Sequence, residues 1–235
     1  SGFVTTQTLT RNFEIYDGQG FYDFRMDAWK ARLGVDNPPL KFVWNENELD
    51  FIYNDNIVDW EDLALNDALL TSHSLSYSSG TEKSTVYSSL NYFTQDGIIP
   101  NSGFDRLQFK LNYSHQLTDK LSLDGIINIQ NANQSRETGG LFLANISPIA
   151  KPYDDEGNLV KYYFGQENAS AINPLWDQRE SVDETETNLT DISLRFNYDL
   201  APQLTYSLKT FYRNRNTDQG TYRSSLHSAG DEGIN

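Results

Sequence analysis

Among its 235 residues the chain has no cysteine. Disulfide scaffolds and thiolate metal sites are therefore excluded. Basic residues are also scarce: 18 Lys and Arg stand against 33 Asp and Glu, a formal net charge of −15. A nucleic-acid-binding protein is expected to carry a basic patch. None is visible, so nucleic acid is not expected as a partner. No apolar run approaches the roughly 20 residues of a membrane helix, and the mean hydropathy is −0.61. One class of membrane protein stays open all the same. Barrel strands show only every second residue to lipid, so their mean hydropathy is low. No charged-then-apolar signal segment opens the chain, so its start reads as mature or internal.

Aromatic residues, by contrast, make up 13% of the chain and include 14 tyrosines. Many fall in alternating runs. Leu107, Phe109, Leu111 and Tyr113 alternate with Arg106, Gln108, Lys110, Asn112 and Ser114, the mark of a strand whose two faces meet different surroundings. Ile192, Leu194, Phe196, Tyr198 and Leu200 oppose Asp191, Ser193, Arg195, Asn197 and Asp199. Leu204, Tyr206, Leu208 and Tyr212 oppose Thr205, Ser207, Lys209 and Arg213. Leu121, Leu123, Ile127 and Ile129 share a face, with Ile126 breaking the rule. Strands are expected at 69–79, 84–95, 105–117, 121–133, 189–200 and 204–215, after the end of a first one at 2–9. The connections 80–83, 118–120 and 201–203 are short, whereas 134–188 is long. Such sorting is the pattern of outer-membrane barrels. The apolar sets are expected to face lipid and the charged sets the lumen, because a charge at the bilayer midplane costs about 2–4 kcal/mol. A soluble sandwich would also alternate, with its apolar face in a core.

A family resemblance rests on the stretch Gly80 to Ile99. Gly80, Glu82 and Lys83 lead into a Tyr-rich strand with Tyr87, which ends in Tyr92, Phe93, Gln95, Asp96, Gly97 and Ile98; Arg106 then opens the next strand. This run resembles the early barrel of SusC/RagA-type TonB-dependent transporters. Ser79 departs from the pattern, standing where the first Gly of a pair is usual. Asp59-Trp60 resembles the family's Asp-Trp before the second strand. Tyr153-Asp154-Asp155-Glu156-Gly157 and Asn173-Pro174-Leu175 resemble marks of its long surface loop. The order and spacing of these marks carry the resemblance, which covers residues 2–212.

The resemblance implies an all-β fold, an antiparallel transmembrane β-barrel meander. Residues 1–235 would be part of a barrel domain of about 22 strands, behind an N-terminal plug that this sequence does not contain. It implies location in the outer membrane of a Gram-negative bacterium, among membrane lipid and lipopolysaccharide. It implies import of a large nutrient, a glycan or an oligopeptide, with a SusD-type surface lipoprotein as lid and energy from the TonB complex. A TonB-dependent siderophore or cobalamin receptor and a soluble carbohydrate-binding β-protein remain as alternatives.

Between the first two strands, 17–32 has helical spacing. Phe21, Phe24, Ala28 and Ala31 can share a face, Asp17 can cap, Gly34 can stop the helix, and Pro38-Pro39 forbid its continuation. A short helix in an outer loop is expected, packing on its own loop or meeting a ligand. Residues 40–66 read as a solvated acidic loop. Asp50, Asn54, Asp55, Asn56 and Asp59 lack the spacing of a twelve-residue calcium loop.

No catalytic constellation is expected, and the chain does not read as an enzyme. His73, His115 and His227 lie far apart, without metal-ligand spacing. No cofactor or metal site is expected. All four tryptophans, Trp29, Trp44, Trp60 and Trp176, fall in the links assigned to the outside. The long loop adds Phe142, Tyr153, Tyr162, Tyr163 and Phe164. Aromatic faces beside amides and carboxylates make binding walls, so Trp60, Tyr153, Tyr162, Tyr163 and Trp176 are candidate contacts for ligand or lid. The plainer alternative is that they pack the loops onto themselves.

Overall fold

A computed structural model describes residues 1–8, 15–137, 146–164 and 171–229. The chain forms two compact units. The first comprises Ser1–Thr8, Asp67–Arg136 and Asp183–Thr221, and the second Leu9–Asn66, Glu137–Val182 and Tyr222–Asn235.

The first unit is a single sheet of seven strands in sequence order: β1 Gly2–Gln7, β2 Ala68–Gly80, β3 Ser84–Asp96, β4 Gly103–Thr118, β5 Leu121–Arg136, β6 Ser181–Ala201 and β7 Leu204–Arg223. This is the expected meander. β1 stops at Gln7, and Leu9 lies outside the described residues. The turns that join β2 to β3, β4 to β5 and β6 to β7 are two or three residues long and share one end of the sheet. Two of them are held by a threonine. Thr81 Oγ1 accepts from the backbone N–H groups of Lys83 and Ser84, and Thr118 Oγ1 from those of Lys120 and Leu121. Each hydroxyl thereby fixes the turn its own residue opens. Ser79 lies inside β2, so the missing glycine falls in a strand and not in the turn.

β6 and β7 are longer than expected, beginning at Ser181 instead of 189 and ending at Arg223 instead of 215. Residues 181–188, SVDETETN, are polar on nearly every position, so hydrophobic alternation has nothing to mark there. Pairing decides instead: Asp183 to Asn188 run alongside Arg136 to Asn131.

The second unit holds five helices among its described residues: α1 Gly18–Leu33, α2 Leu40–Val43, α3 Glu46–Tyr53, α4 Trp60–Ala64 and α5 Pro174–Arg179. α1 has the expected ends. Asp17 caps it by accepting from Gly20 N–H, and Gly34 takes φ 67°, a conformation that suits glycine at a C-terminus. Its packed face differs from the expected one. Phe21 packs inward together with Tyr22, Met26 and Trp29, while Phe24, Ala28 and Ala31 are exposed. The sequence periodicity was ambiguous because aromatic residues occupy both faces.

Residues 40–66 are not a solvated loop. Asn45 and Glu48 form a reciprocal capping box that starts α3. Glu48 is 3% exposed, and Arg25 meets it at 2.6 Å while lying 4.3 Å from the Trp44 ring. A buried carboxylate needs such a partner. Val43, Trp44, Phe51 and Ile149 form one core. Trp60, Ala150, Tyr163 and Ala171 form a second, and Phe164 packs on both.

Candidate functional site

The sheet sorts its side chains as alternation requires, apolar on one face and polar on the other. The ladder pairs Leu75, Leu90, Phe109 and Ile129 in one row and Leu111, Ile127 and Ile192 in another. Leu75 is 73% exposed, Phe109 37% and Ile129 47%. The opposite face is laced laterally. Gln108 donates to Asn128, Ser114 to Asp124 and Ser207 to Asn197, and Arg213 makes a two-pronged contact with Asp191 at 2.6 and 3.2 Å. A soluble protein would bury the first face and wet the second. Here several polar groups bond to one another across the strands, while the apolar side chains stand exposed. Ile126, which broke the alternation, shares a polar-face row with Tyr87 and Asn112.

The register also shows a tilt. The apolar run opens at Leu107 on β4 and at Ile192 on β6, and Ile192 pairs through Ile127 with Leu111. Over two strand steps the run has slid from 107 to 111. At about 3.3 Å per residue and about 4.8 Å per strand, this corresponds to a tilt of roughly 50°. Strands of membrane barrels tilt by about 45°. Where Leu107 faces across the ladder to β5 and β6, it meets Asn131 and Asn188, which hydrogen-bond to each other and to Glu186. The apolar run has ended on those two strands.

The second unit contains a groove of about 470 Å³, lined by Asn47, Phe51, Lys151, Tyr153, residues 154–156 and residues 160–162. Its wall is the hairpin at 151–162. Tyr153 bridges Leu159, and Gly157 takes φ 83° in the turn, where only glycine is unstrained. Asp154 accepts from the backbone N–H groups of Glu156 and Asn158 and from Asn158 Nδ2. The Asn158 backbone N–H, foremost, holds the Asp154 carboxyl below its ordinary value. Lys151 Nζ meets Asp155 at 2.5 Å, a contact that raises the lysine's pKa. From the other side, buried Asn173 donates to the carbonyls of Pro152 and Val160 and caps α5, which locks the hairpin in place.

No family model matches the sequence. Two curated proteins of Formosa agariphila do. TonB-dependent receptor P26 is 28% identical over 130 residues, 55% of this chain and 13% of that protein. TonB-dependent receptor P3 is 23% identical over 196 residues, 76% of this chain and 19% of that protein. The chain thus spans less than a fifth of the length of these relatives. Among solved structures, the RagAB peptide importer in its closed-closed state superposes with a TM-score of 0.73 at 17% identity, over 95% of this chain and 29% of that one. The RagAB peptide transporter superposes with a TM-score of 0.73 over 94% of this chain. The chain is similar to TonB-dependent receptors, and its fold is an antiparallel sheet like that of the RagA barrel.

Within this segment the five candidate aromatic residues part company. Tyr153 and Tyr162 come together in the groove. Trp60 and Tyr163, 2% and 5% exposed, pack edge to face at 5.5 Å in the second core. The Trp60 indole N–H donates to the Ser147 carbonyl, and burial raises the Tyr163 pKa. Trp176 lies on α5, under the Arg179 guanidinium at 4.4 Å, and donates to the Leu226 carbonyl. Phe142 lies outside the described residues. The sequence reading missed Asn47, Phe51, Lys151 and Lys161 as groove residues. The capping box at Asn45 and Glu48 and the cap at Asp59 were local signals that 40–66 folds. The family marks have physical roles here: Asp59 caps α4, Trp60 fills a core, and Asn173 pins the hairpin.

Proposed function

We propose that this segment forms part of the wall of an outer-membrane import barrel. The complete protein takes up a large nutrient, a glycan or an oligopeptide, works with a SusD-type surface lipoprotein, and draws energy from the TonB complex through parts outside this chain. The observation that carries this reading is the inverted sheet: an exposed apolar face with tilted strands, backed by a face where several polar groups bond to one another. Its relatives' names and the RagAB peptide importer's likeness support it. A soluble sandwich finds no support, because the described strands form one sheet with no second sheet across from it. The second unit, with Tyr153, Tyr162 and Trp176 at or near its surface, is the contact region for substrate or lid.

The test is a deletion of residues 141–176, closed with a short turn, in the complete transporter. No strand is touched, so the barrel assembles in the membrane. The deletion removes Ile149, Ala150, Tyr163 and Ala171 from the two cores, so the second unit is lost as a whole. Uptake of the cognate nutrient, or retention of the lipoprotein, should then fall. Normal import together with normal lipoprotein retention would refute the assignment.

A further inference from the structure

We infer that the polar face of the sheet carries a binding site for oxyanion groups (sulfate, phosphate or carboxylate), centred on Arg195 and Lys209. The inference rests on the import reading, which makes that face the inner wall, and it adds the charge of what the wall receives.

The chain as a whole is acidic, yet this face is not. Arg106, Lys110, Arg195, Lys209, Arg213 and Arg215 stand at its ladder positions. Its acids are Asp124, Asp183, Asp191 and Asp199. The strands place no Lys or Arg on the apolar face. The acids are already engaged. Asp124 accepts from Ser114 and Asn197, Asp199 from Thr205 and Asp183 from Gln219, while Asp191 takes both prongs of Arg213. Most of the cations are not. Lys110, Arg195, Lys209 and Arg215 are exposed and form no ion pair among the described residues.

Register brings two of these cations together. Side-chain bonds from Thr205 to Asp199, Ser207 to Asn197 and Arg213 to Asp191 align β7 with β6. The same alignment sets Arg195 directly opposite Lys209. Like charges opposite one another on a sheet face repel. Asp124 faces Arg195 from β5, but its oxygens go to Ser114 and Asn197 and it forms no ion pair with Arg195. A hollow of about 230 Å³ has Lys209, Arg213, Ser193 and Phe211 in its lining. Asp191 lines it too, with its carboxylate held by Arg213. A guanidinium fork and an ammonium side by side suit a ligand group with negative charge and several acceptor oxygens. Such a group would also relieve the repulsion between Arg195 and Lys209. A wall with this excess of one sign concentrates counter-ions in front of it.

The experiment uses the complete purified transporter in detergent. Thermal unfolding is followed by circular dichroism in sodium sulfate, phosphate or acetate, each against sodium chloride of equal ionic strength. At least one oxyanion should raise the melting temperature above its chloride value. Arg195→Gln and Lys209→Gln should each cut that rise by about half or more. In chloride alone, Lys209→Gln should melt no lower than the parent, because it removes a like-charge contact. Lys120→Gln, in the short turn between β4 and β5, should leave the rise unchanged. A response to sulfate and phosphate alone would assign the site to ester groups, and one to acetate alone to carboxylates; either supports it. The inference is overturned if no oxyanion outdoes chloride. It is overturned if both glutamine changes leave the rise intact, which would make it a general effect of kosmotropic salts. A Lys209→Gln variant that melts lower in chloride would also overturn it, since the lysine would then already have an acidic partner elsewhere in the complete protein. None of these results touches the import reading, which is judged by uptake.

Discussion

An arginine walked along β4 should report depth in the bilayer. The apolar run on that strand extends from Leu107 to Leu117, interrupted by His115, with Leu111 and Tyr113 about its centre. Ten residue steps at about 3.3 Å, tilted by about 45°, span roughly 23 Å, close to the ~25 Å apolar band of such barrels. Leu111 therefore lies roughly 9 Å below the rim and Leu107 at it. Arginine on the lipid face costs about 2–4 kcal/mol at the midplane and about 0–1 kcal/mol near the interface. Leu111→Arg should thus cost about 2–4 kcal/mol, Leu107→Arg about 0–1 kcal/mol, and Phe109→Arg an intermediate amount. Phe109→Leu should be mild. The assay is denaturant unfolding of the complete transporter in lipid vesicles, read alongside the amount assembled in cells. Equal costs at Leu107 and Leu111 would refute the depth assignment. A Leu111→Arg variant as stable as the parent would refute the orientation of the sheet.

Topology can be read with single cysteines in intact cells: one at Asn158 should react with an impermeant reagent and one at Thr81 should not, and equal labelling would break the assignment of short turns to the periplasm. The hairpin at 151–162 should depend on pH through Asp154. Its folded carboxyl lies below the ordinary value, so its contribution is full above that value and is lost as pH falls through the lowered one. Exchange protection of the hairpin should drop in acid, and Asp154→Asn should abolish that pH dependence; a pH-independent hairpin in the parent protein would contradict it. Asn45→Ala removes the capping side chain of α3 and should destabilise the second unit by about 1 kcal/mol, measured as earlier proteolysis of that unit with the barrel intact.

The meander was legible because a strand with unlike faces writes its period directly into the chain. Leu107 to Ser114 and Asp191 to Leu200 could be placed and given faces without coordinates. Asp17 and Gly34 likewise announced both ends of α1, since capping is a local matter of one side chain or one backbone angle. The same locality explains what was lost. Residues 181–188 are polar on both faces, and only their alignment with β5 makes them a strand. In residues 40–66 the apolar positions are too few per helix to set a period, and helices as short as α2 and α4 exist because Trp44 and Trp60 find partners far along the chain.

The sequence by itself determined which residues alternate, which turns are short and which family marks occur in order, because each of these depends on neighbours within a few residues. Only the tertiary structure decided the rest. Register set the slide of the apolar run and hence the tilt, since pairing joins residues with no sequence relation. Packing divided five similar aromatic candidates, taking Trp60 and Tyr163 into a core and leaving Tyr153 and Tyr162 on a groove. An aromatic ring carries no local sign of whether it will be a wall or a filling; that is settled by which distant side chains reach it first.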